Sequence, residues 1–189
     1  MEIYSTVQKL VEILRDSSQR LVLAESCTGG MVAATLTTIP GVSDLFCGSM
    51  VVYRNQTKTA WLGLPDEILL APNVGPVSRQ ASLLLAQGVL QHTPEATLAV
   101  SITGHFGPDA PEHLNRKIFM ACAQRNRLAI IEQELLLSGP PESLLSMSSP
   151  NDAPRLAWER RRWLQSQAAL ETIAFATQSV RRILADRIS

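Results

Sequence analysis

Three short polar stretches, each following an apolar run, hold the side chains best suited to chemistry. Ala24 to Gly30 reads AESCTGG and offers hydroxyls at Ser26 and Thr28 and a thiol at Cys27. Gly29 and Gly30 would let the backbone approach a bound anion closely at a helix start. Gly48 to Lys58 reads GSMVVYRNQTK and carries Tyr53 and Lys58, five residues apart. Ser101 to Asp109 reads SITGHFGPD. A serine hydroxyl is a poor nucleophile until a neighbouring base takes its proton. A lysine can be that base only when desolvation or a nearby cation lowers its pKa. A thiolate is more reactive, and a helix N-terminus would help Cys27 form one. The residues alone leave Ser26 and Cys27 both open. They also fit a plain capped helix start after a tight turn, which needs no catalysis.

The histidines offer less. His92 closes a helical pattern and is expected to face solvent, while His105 sits in the third polar stretch and stays open. His105, Asp109 and His113 lack any established ligand spacing, so no metal is expected.

The elements that must position these groups follow from periodicity. Tyr4, Val7, Leu10, Val11 and Leu14 predict a helix over about 3–17. RLVLAE, DLFCGSMVVYR, TLAVSIT, KIFMACAQ and LAIIEQELLL read as five strands. MVAATLTTI, QTKTAWL and VSRQASLLLAQGVLQ read as helices, the last with Ser78 as its cap. Ser138 to Pro154 is rich in Pro and Ser and reads as a loop. A final helix over about 155–187 repeats Leu156, Trp163, Leu170, Thr177 and Leu184, with Ile173, Val180 and Ile183 widening the stripe. Strands alternating with helices early and adjacent strands late predict an α/β sandwich with a mixed sheet. Ligands in open α/β sheets collect at the carboxyl ends of strands, where the three polar stretches fall.

The 189 residues, 46% hydrophobic and 18% charged, suit one domain over 1–189 with a real core. Lys plus Arg and Asp plus Glu stand at 17 each, so the basic excess of a nucleic-acid binder is missing. The three cysteines, Cys27, Cys47 and Cys122, are odd in number and far apart, which fits neither a disulfide framework nor zinc. No apolar run is long enough to span a bilayer, and the N-terminus has no signal-peptide core. A cytoplasmic protein without nucleic-acid or membrane partners is expected.

Taken together, ESCTGG, PGVS, VVYRNQTK and GPVS, in this order, resemble the CinA C-terminal domain family, the nicotinamide-nucleotide amidases or competence-damage-inducible proteins. The resemblance runs over roughly residues 21–104. It implies a three-layer α/β/α sandwich with a long C-terminal helix. It also implies cleavage of the carboxamide of nicotinamide mononucleotide to nicotinate mononucleotide and ammonia, with no cofactor. By the same resemblance Ser26 matches the nucleophile, Lys58 and Tyr53 the groups that activate it, and Thr103 and Ser43 further polar positions. Thr28, Gly29 and Gly30 match an anion-binding turn; Asn55, Gly104 and Arg162 are assigned with them to substrate binding. The long last helix makes a homo-oligomer the expected state.

The chain also departs from the family pattern. Where members continue TGIAGPGG and then KPVGTV, this sequence has TGHFGPDAPEHLNRKIF, placing His105 and Phe106 at an Ile-Ala pair and His113 to Arg116 at KPVG. The family's GDR triplet is replaced by Leu156 to Trp158, with Arg162 at its second arginine. These changes keep two alternatives in view: a non-catalytic nucleotide-binding or regulatory protein, and an amidase of altered substrate.

Overall fold

The structure, a computed structural model, describes residues 2–107, 109–125, 130–144 and 152–186. The elements run α1 Glu2–Asp16, β1 Leu21–Glu25, α2 Met31–Leu36, β2 Phe46–Val51, α3 Asn55–Leu62, α4 Asp66–Leu69 and α5 Arg79–Gln91. They continue with β3 Leu98–Gly104, β4 Lys117–Gln124, β5 Ile130–Leu136 and α6 Ala153–Ala185. All five expected strands form, in one sheet ordered β2-β1-β3-β4-β5. β2, β1 and β3 are parallel, and β4 and β5 add antiparallel.

Alternation along the strands splits the core in two. Leu21 and Leu23 of β1, Val100 and Ile102 of β3, and Ile118 and Met120 of β4 pack against α1, α2 and α6. Their neighbours Val22, Ala24, Ala99, Ala121 and Ala123 face the opposite way, toward α3, α4 and α5. Four alanines on that face let α5 lie close to the sheet, the side-chain period of 2 deciding which helix each residue meets. The result is the mixed-sheet α/β/α sandwich expected from the sequence.

Local signals explain most boundaries. Val7, Leu10, Val11 and Leu14 of α1 are all buried, but Tyr4 at the same spacing is exposed. Ser78 caps α5, its side chain accepting from the Ala81 amide at 3.1 Å. In α6, Leu156, Thr177, Ile173, Val180 and Ile183 are buried, while Trp163, Leu170 and Leu184 of the expected stripe are only half-buried. The helix after Gly30 stops at Leu36, short of the nine-residue apolar segment, and α4 was not anticipated. Of the Pro/Ser-rich loop at 138–154, residues 145–151 lie outside the described residues; Glu142–Leu144 form a single 3-10 turn. Among the described residues no helix is long and apolar enough to cross a membrane.

The chain leaves β1 for β2 on one side, then returns to place β3 on β1's other side. The carboxyl ends of β1 and β3 therefore flank a topological switch point, where open α/β sheets form their ligand crevices.

Candidate active site

Side-chain alternation carries on past the end of β1. Glu25 turns to the α2 face, Ser26 to the α3 and α5 face, and Cys27 back toward the first core. The Ser26 amide donates to the Ile102 carbonyl at 3.1 Å, fixing residue 26 against the end of β3. Ser26 opens on a cleft of about 330 Å³ whose lining also includes Cys27, Tyr53, Asn55, Lys58, Pro76, Val77, Thr103, Gly104, His105, Phe106, Gly107, Asp109 and Arg161. Its hydroxyl has no hydrogen-bond partner among the described residues.

Lys58 reaches the cleft from the first turns of α3. It is 2% exposed, and its Nζ donates to the Tyr53 carbonyl at 3.3 Å. No carboxylate pairs with it among the described residues. Burial without a counter-charge disfavours the ammonium, and its pKa falls from 10.5 to about 8. This is the desolvated lysine that base chemistry requires. Burial drives Cys27 the other way: the thiol, packed in the core and 4% exposed, is pushed up to about 12. Of the two, Cys27 is the thiol held protonated by burial, while the Ser26 hydroxyl lies in the same cleft as Lys58. Cys27 Sγ also lies where a side chain on Gly104 would collide: a Cβ there would stand 3.1 Å from it and 2.8 Å from the Lys117 carbonyl. Only glycine fits at that point of the cleft wall.

The turn after Ser26 does not serve as an anion site. The Glu25 carboxylate, fully buried, accepts from the Thr28 hydroxyl at 2.8 Å and the amides of Gly30, Val32 and Ala33 at 3.0–3.1 Å. The Ser49 hydroxyl adds a fifth bond at 3.0 Å. The helix N-terminus thus holds an anion already, one supplied by the chain itself. Gly29 and Gly30, with φ of 62° and 98°, make the left-handed turn that brings those amides round to Glu25. Thr28, Gly29 and Gly30 are corrected accordingly, from substrate-binding groups to the bracing that aims Ser26. Replacing Glu25 with alanine should cost roughly 3–5 kcal/mol, because several buried donors lose their acceptor together. Thermal unfolding reads that loss.

Two further assignments change. Arg162 points to solvent with its guanidinium 5.5 Å from the Trp158 ring centroid, outside the cleft. Arg161 is the arginine in the cleft: it donates to the Phe106 carbonyl at 3.0 Å and to the Tyr53 hydroxyl. One residue along a helix is a rotation of about 100°, enough to exchange their roles. Ser43 is exposed in the 3-10 turn Val42–Asp44 before β2, at the far end of the parallel strands from Ser26. It is not part of this cleft. Thr103 lines the cleft, but its proton is committed to the Pro76 carbonyl at 2.8 Å, so it holds the 76–77 lip and can only accept. Phe106 is 5% exposed and packs in the core beside α6; it forms a wall and leaves the cleft open. His105, which the residues had left open, stands at the cleft's edge.

Glu25 and Arg161 are two residues of the candidate site that sequence reasoning missed. A carboxylate immediately before a Ser-Cys-Thr-Gly-Gly turn is a readable signal for the first. For the second, three consecutive arginines, Arg160 to Arg162, mark a polar helix face without fixing its phase.

The sequence model of the CinA C-terminal domain matches residues 3–148. The chain belongs to the CinA C-terminal domain family. This extends the resemblance at residues 21–104 through the altered loop and into the last strands. A CinA-like protein of Dictyoglomus thermophilum is 36% identical over 137 residues, covering 71% of this chain and 32% of that protein. One of Myxococcus xanthus is 40% identical over 107 residues, 57% of this chain and 24% of that protein. The chain thus spans about a quarter to a third of the curated relatives it matches. Among solved structures, competence damage-inducible protein A of Klebsiella pneumoniae superposes with a TM-score of 0.77 at 18% identity, covering 95% of this chain and 97% of that one. The competence/damage inducible protein CihA of Agrobacterium tumefaciens gives 0.67 at 26% identity, covering 90% and 96%. The α6 region, beyond the matched residues, is therefore shared by the fold even where the CinA sequence pattern stops.

Proposed function

We propose that this CinA-family chain is a serine amidohydrolase that deamidates nicotinamide mononucleotide. The observation that carries this reading is a serine hydroxyl with no protein partner among the described residues, opening on the same cleft as a buried lysine that no carboxylate pairs with among them. The substrate class comes from the family resemblance, and the cleft suits it in size, small-ligand sites starting near ~300 Å³.

In the proposed course, neutral Lys58 takes the Ser26 proton as Oγ bonds to the carboxamide carbon. The oxyanion that develops needs donors, and the α2 amides are spent on Glu25. The side chains of Asn55, Arg161, Tyr53 and His105 are polar cleft groups that remain for that charge and for the substrate's phosphate. Lys58 then returns the proton to the leaving nitrogen, the C–N bond breaks, and ammonia departs. Water, giving its proton to Lys58, attacks the Ser26 ester; Lys58 passes that proton to Ser26 Oγ as the ester C–O bond breaks, and nicotinate mononucleotide leaves. Tyr53, whose oxygen accepts from Arg161, keeps its own proton available to donate.

Ammonia release from the mononucleotide by purified protein tests the reading; intact substrate after prolonged incubation with folded protein would overturn it. Iodoacetamide supplies a second check. With Cys27 buried and its thiol held protonated, alkylation should leave the rate unchanged. Inactivation that disappears in Cys27→Ala would move the nucleophile to the thiol.

A further inference from the structure

Across a lip from the Ser26 cleft lies a larger one, of about 810 Å³, bounded by residues 72–80, by 111–114, by the start of β4 and by the end of β5. The two clefts share Pro76, Val77 and His105. Both sides of that lip are anchored. Thr103 of β3 donates to the Pro76 carbonyl at 2.8 Å, and the His105 carbonyl accepts from the Arg116 amide at 3.0 Å. Much of the lining is apolar, with Val74, Pro111, Leu114 and the ring of Phe119. Alternation along β4 explains the ring: Ile118 and Met120 enter the core beside α6, so Phe119 faces the α5 side. On the same lining Lys117 and Arg79 both bind Glu134, at 3.0 and 3.2 Å, which holds the two long side chains in place. An arginine carries five N–H donors and a lysine three, so one shared carboxylate does not exhaust them.

We propose that the larger cleft is a second subsite of the Ser26 site, and that it takes the nucleotide half which a nicotinamide dinucleotide carries beyond its first phosphate. This rests on the deamidation reading, which puts the carboxamide at Ser26 and leaves His105, on the shared lip, among the groups for the phosphate. Whatever is attached to that phosphate then passes over Pro76 and Val77 into the larger space. An apolar lining with an aromatic ring suits a flat base, and the donors of Arg79 and Lys117 suit a second phosphoryl group. Crevices at a topological switch point take both halves of a dinucleotide in other open α/β sheets. His105 and the wall at 111–114 belong to the stretch where the sequence leaves the family pattern, so the subsite is a property of this chain rather than of the resemblance. The reaction is unaltered: Ser26 Oγ displaces ammonia from the carboxamide, water hydrolyses the ester, and the diphosphate bonds stay intact.

Calorimetry on the full chain carrying Ser26→Ala, which binds without turning over, compares nicotinamide adenine dinucleotide with the mononucleotide. The dinucleotide should bind at least about tenfold more tightly, the gain that stacking one base on an aromatic ring provides. Gln80→Trp and His113→Trp put bulky rings into the larger cleft from different walls. Both positions are exposed, and neither is in the described lining of the Ser26 cleft. Either change should remove the dinucleotide's advantage while the unliganded melting temperature stays put. Affinity for the dinucleotide equal to or weaker than that for the mononucleotide overturns the proposal. So does equal weakening of both ligands by the two variants, which would assign the larger cleft to the mononucleotide itself. Ammonia release by the wild-type protein is read separately. Release from the mononucleotide without dinucleotide binding sinks the subsite and leaves the deamidation reading standing. Tight dinucleotide binding that Gln80→Trp abolishes, with no ammonia from either ligand, sinks deamidation and leaves the subsite.

Discussion

Ser26→Ala should lower the rate of ammonia release from nicotinamide mononucleotide by about 10³-fold or more, since removing the nucleophile of an acyl-transfer unit abolishes its covalent route. The fold should survive unchanged. The hydroxyl makes no hydrogen bond to the described protein, so its loss leaves no buried group unpaired. Substrate affinity should also persist, because Asn55 and Arg161 remain. A drop in rate with an unaltered melting temperature and an unaltered mononucleotide affinity is thus the expected pattern. Loss of rate together with unfolding would instead indicate a structural role for the turn.

Replacing Lys58 with methionine should move activity and stability in opposite directions. As the base, Lys58 must be neutral, and with a pKa of about 8 only about a tenth of it is neutral at pH 7. Wild-type kcat/KM should therefore rise about tenfold per pH unit below 8 and level off above it. Lys58→Met should lose about 10²–10⁴-fold of the rate and that pH dependence with it. For stability the sign is reversed. The folded pKa of about 8 lies below the unfolded value of 10.5, so between these limits the unfolded chain holds the extra proton and stability rises with pH. Below pH 8 the protein bears the full cost of a buried ammonium, on the order of 3 kcal/mol at most. Lys58→Met should accordingly melt several degrees higher at pH 7, and the gain should shrink to nothing by pH 10.5. A variant less stable than wild type at pH 7 would show that the ammonium is satisfied where it lies. Functional sites commonly retain such a local cost.

Much of this arrangement was legible in the residues. The five strands showed because apolar runs ended abruptly in Gly, Ser, Thr or Asn, and three of those endings converge because β1, β2 and β3 run parallel. Ser26, Cys27 and Lys58 stood among the candidates before any geometry, and only the family resemblance singled out Ser26 and Lys58. Their relation to Cys27 was not legible. Which of two adjacent side chains enters a cleft depends on whether alternation continues beyond the strand, and that depends on Glu25 holding the α2 amides. Here a resemblance misleads as well: Thr28, Gly29 and Gly30 look like a turn for a bound ligand anion, but the Thr28 hydroxyl and the Gly30 amide are taken by the chain's own Glu25 carboxylate. Arg161 was missed for a related reason. Along a 33-residue helix the phase of a polar face is set by where the apolar stripe docks, and a shift of one residue puts Arg162 in solvent and Arg161 in the cleft. Ser43 failed differently, lying at the wrong end of the sheet, a fact that only strand direction reveals.

A covalent ester on Ser26 would be intercepted by hydroxylamine, which competes with water for the acyl group. Incubating the wild-type protein with the mononucleotide and hydroxylamine should yield the hydroxamate of nicotinate mononucleotide, detected by mass, and Ser26→Ala should yield none. Ammonia released without any hydroxamate, or equal hydroxamate from both proteins, would contradict attack by Ser26.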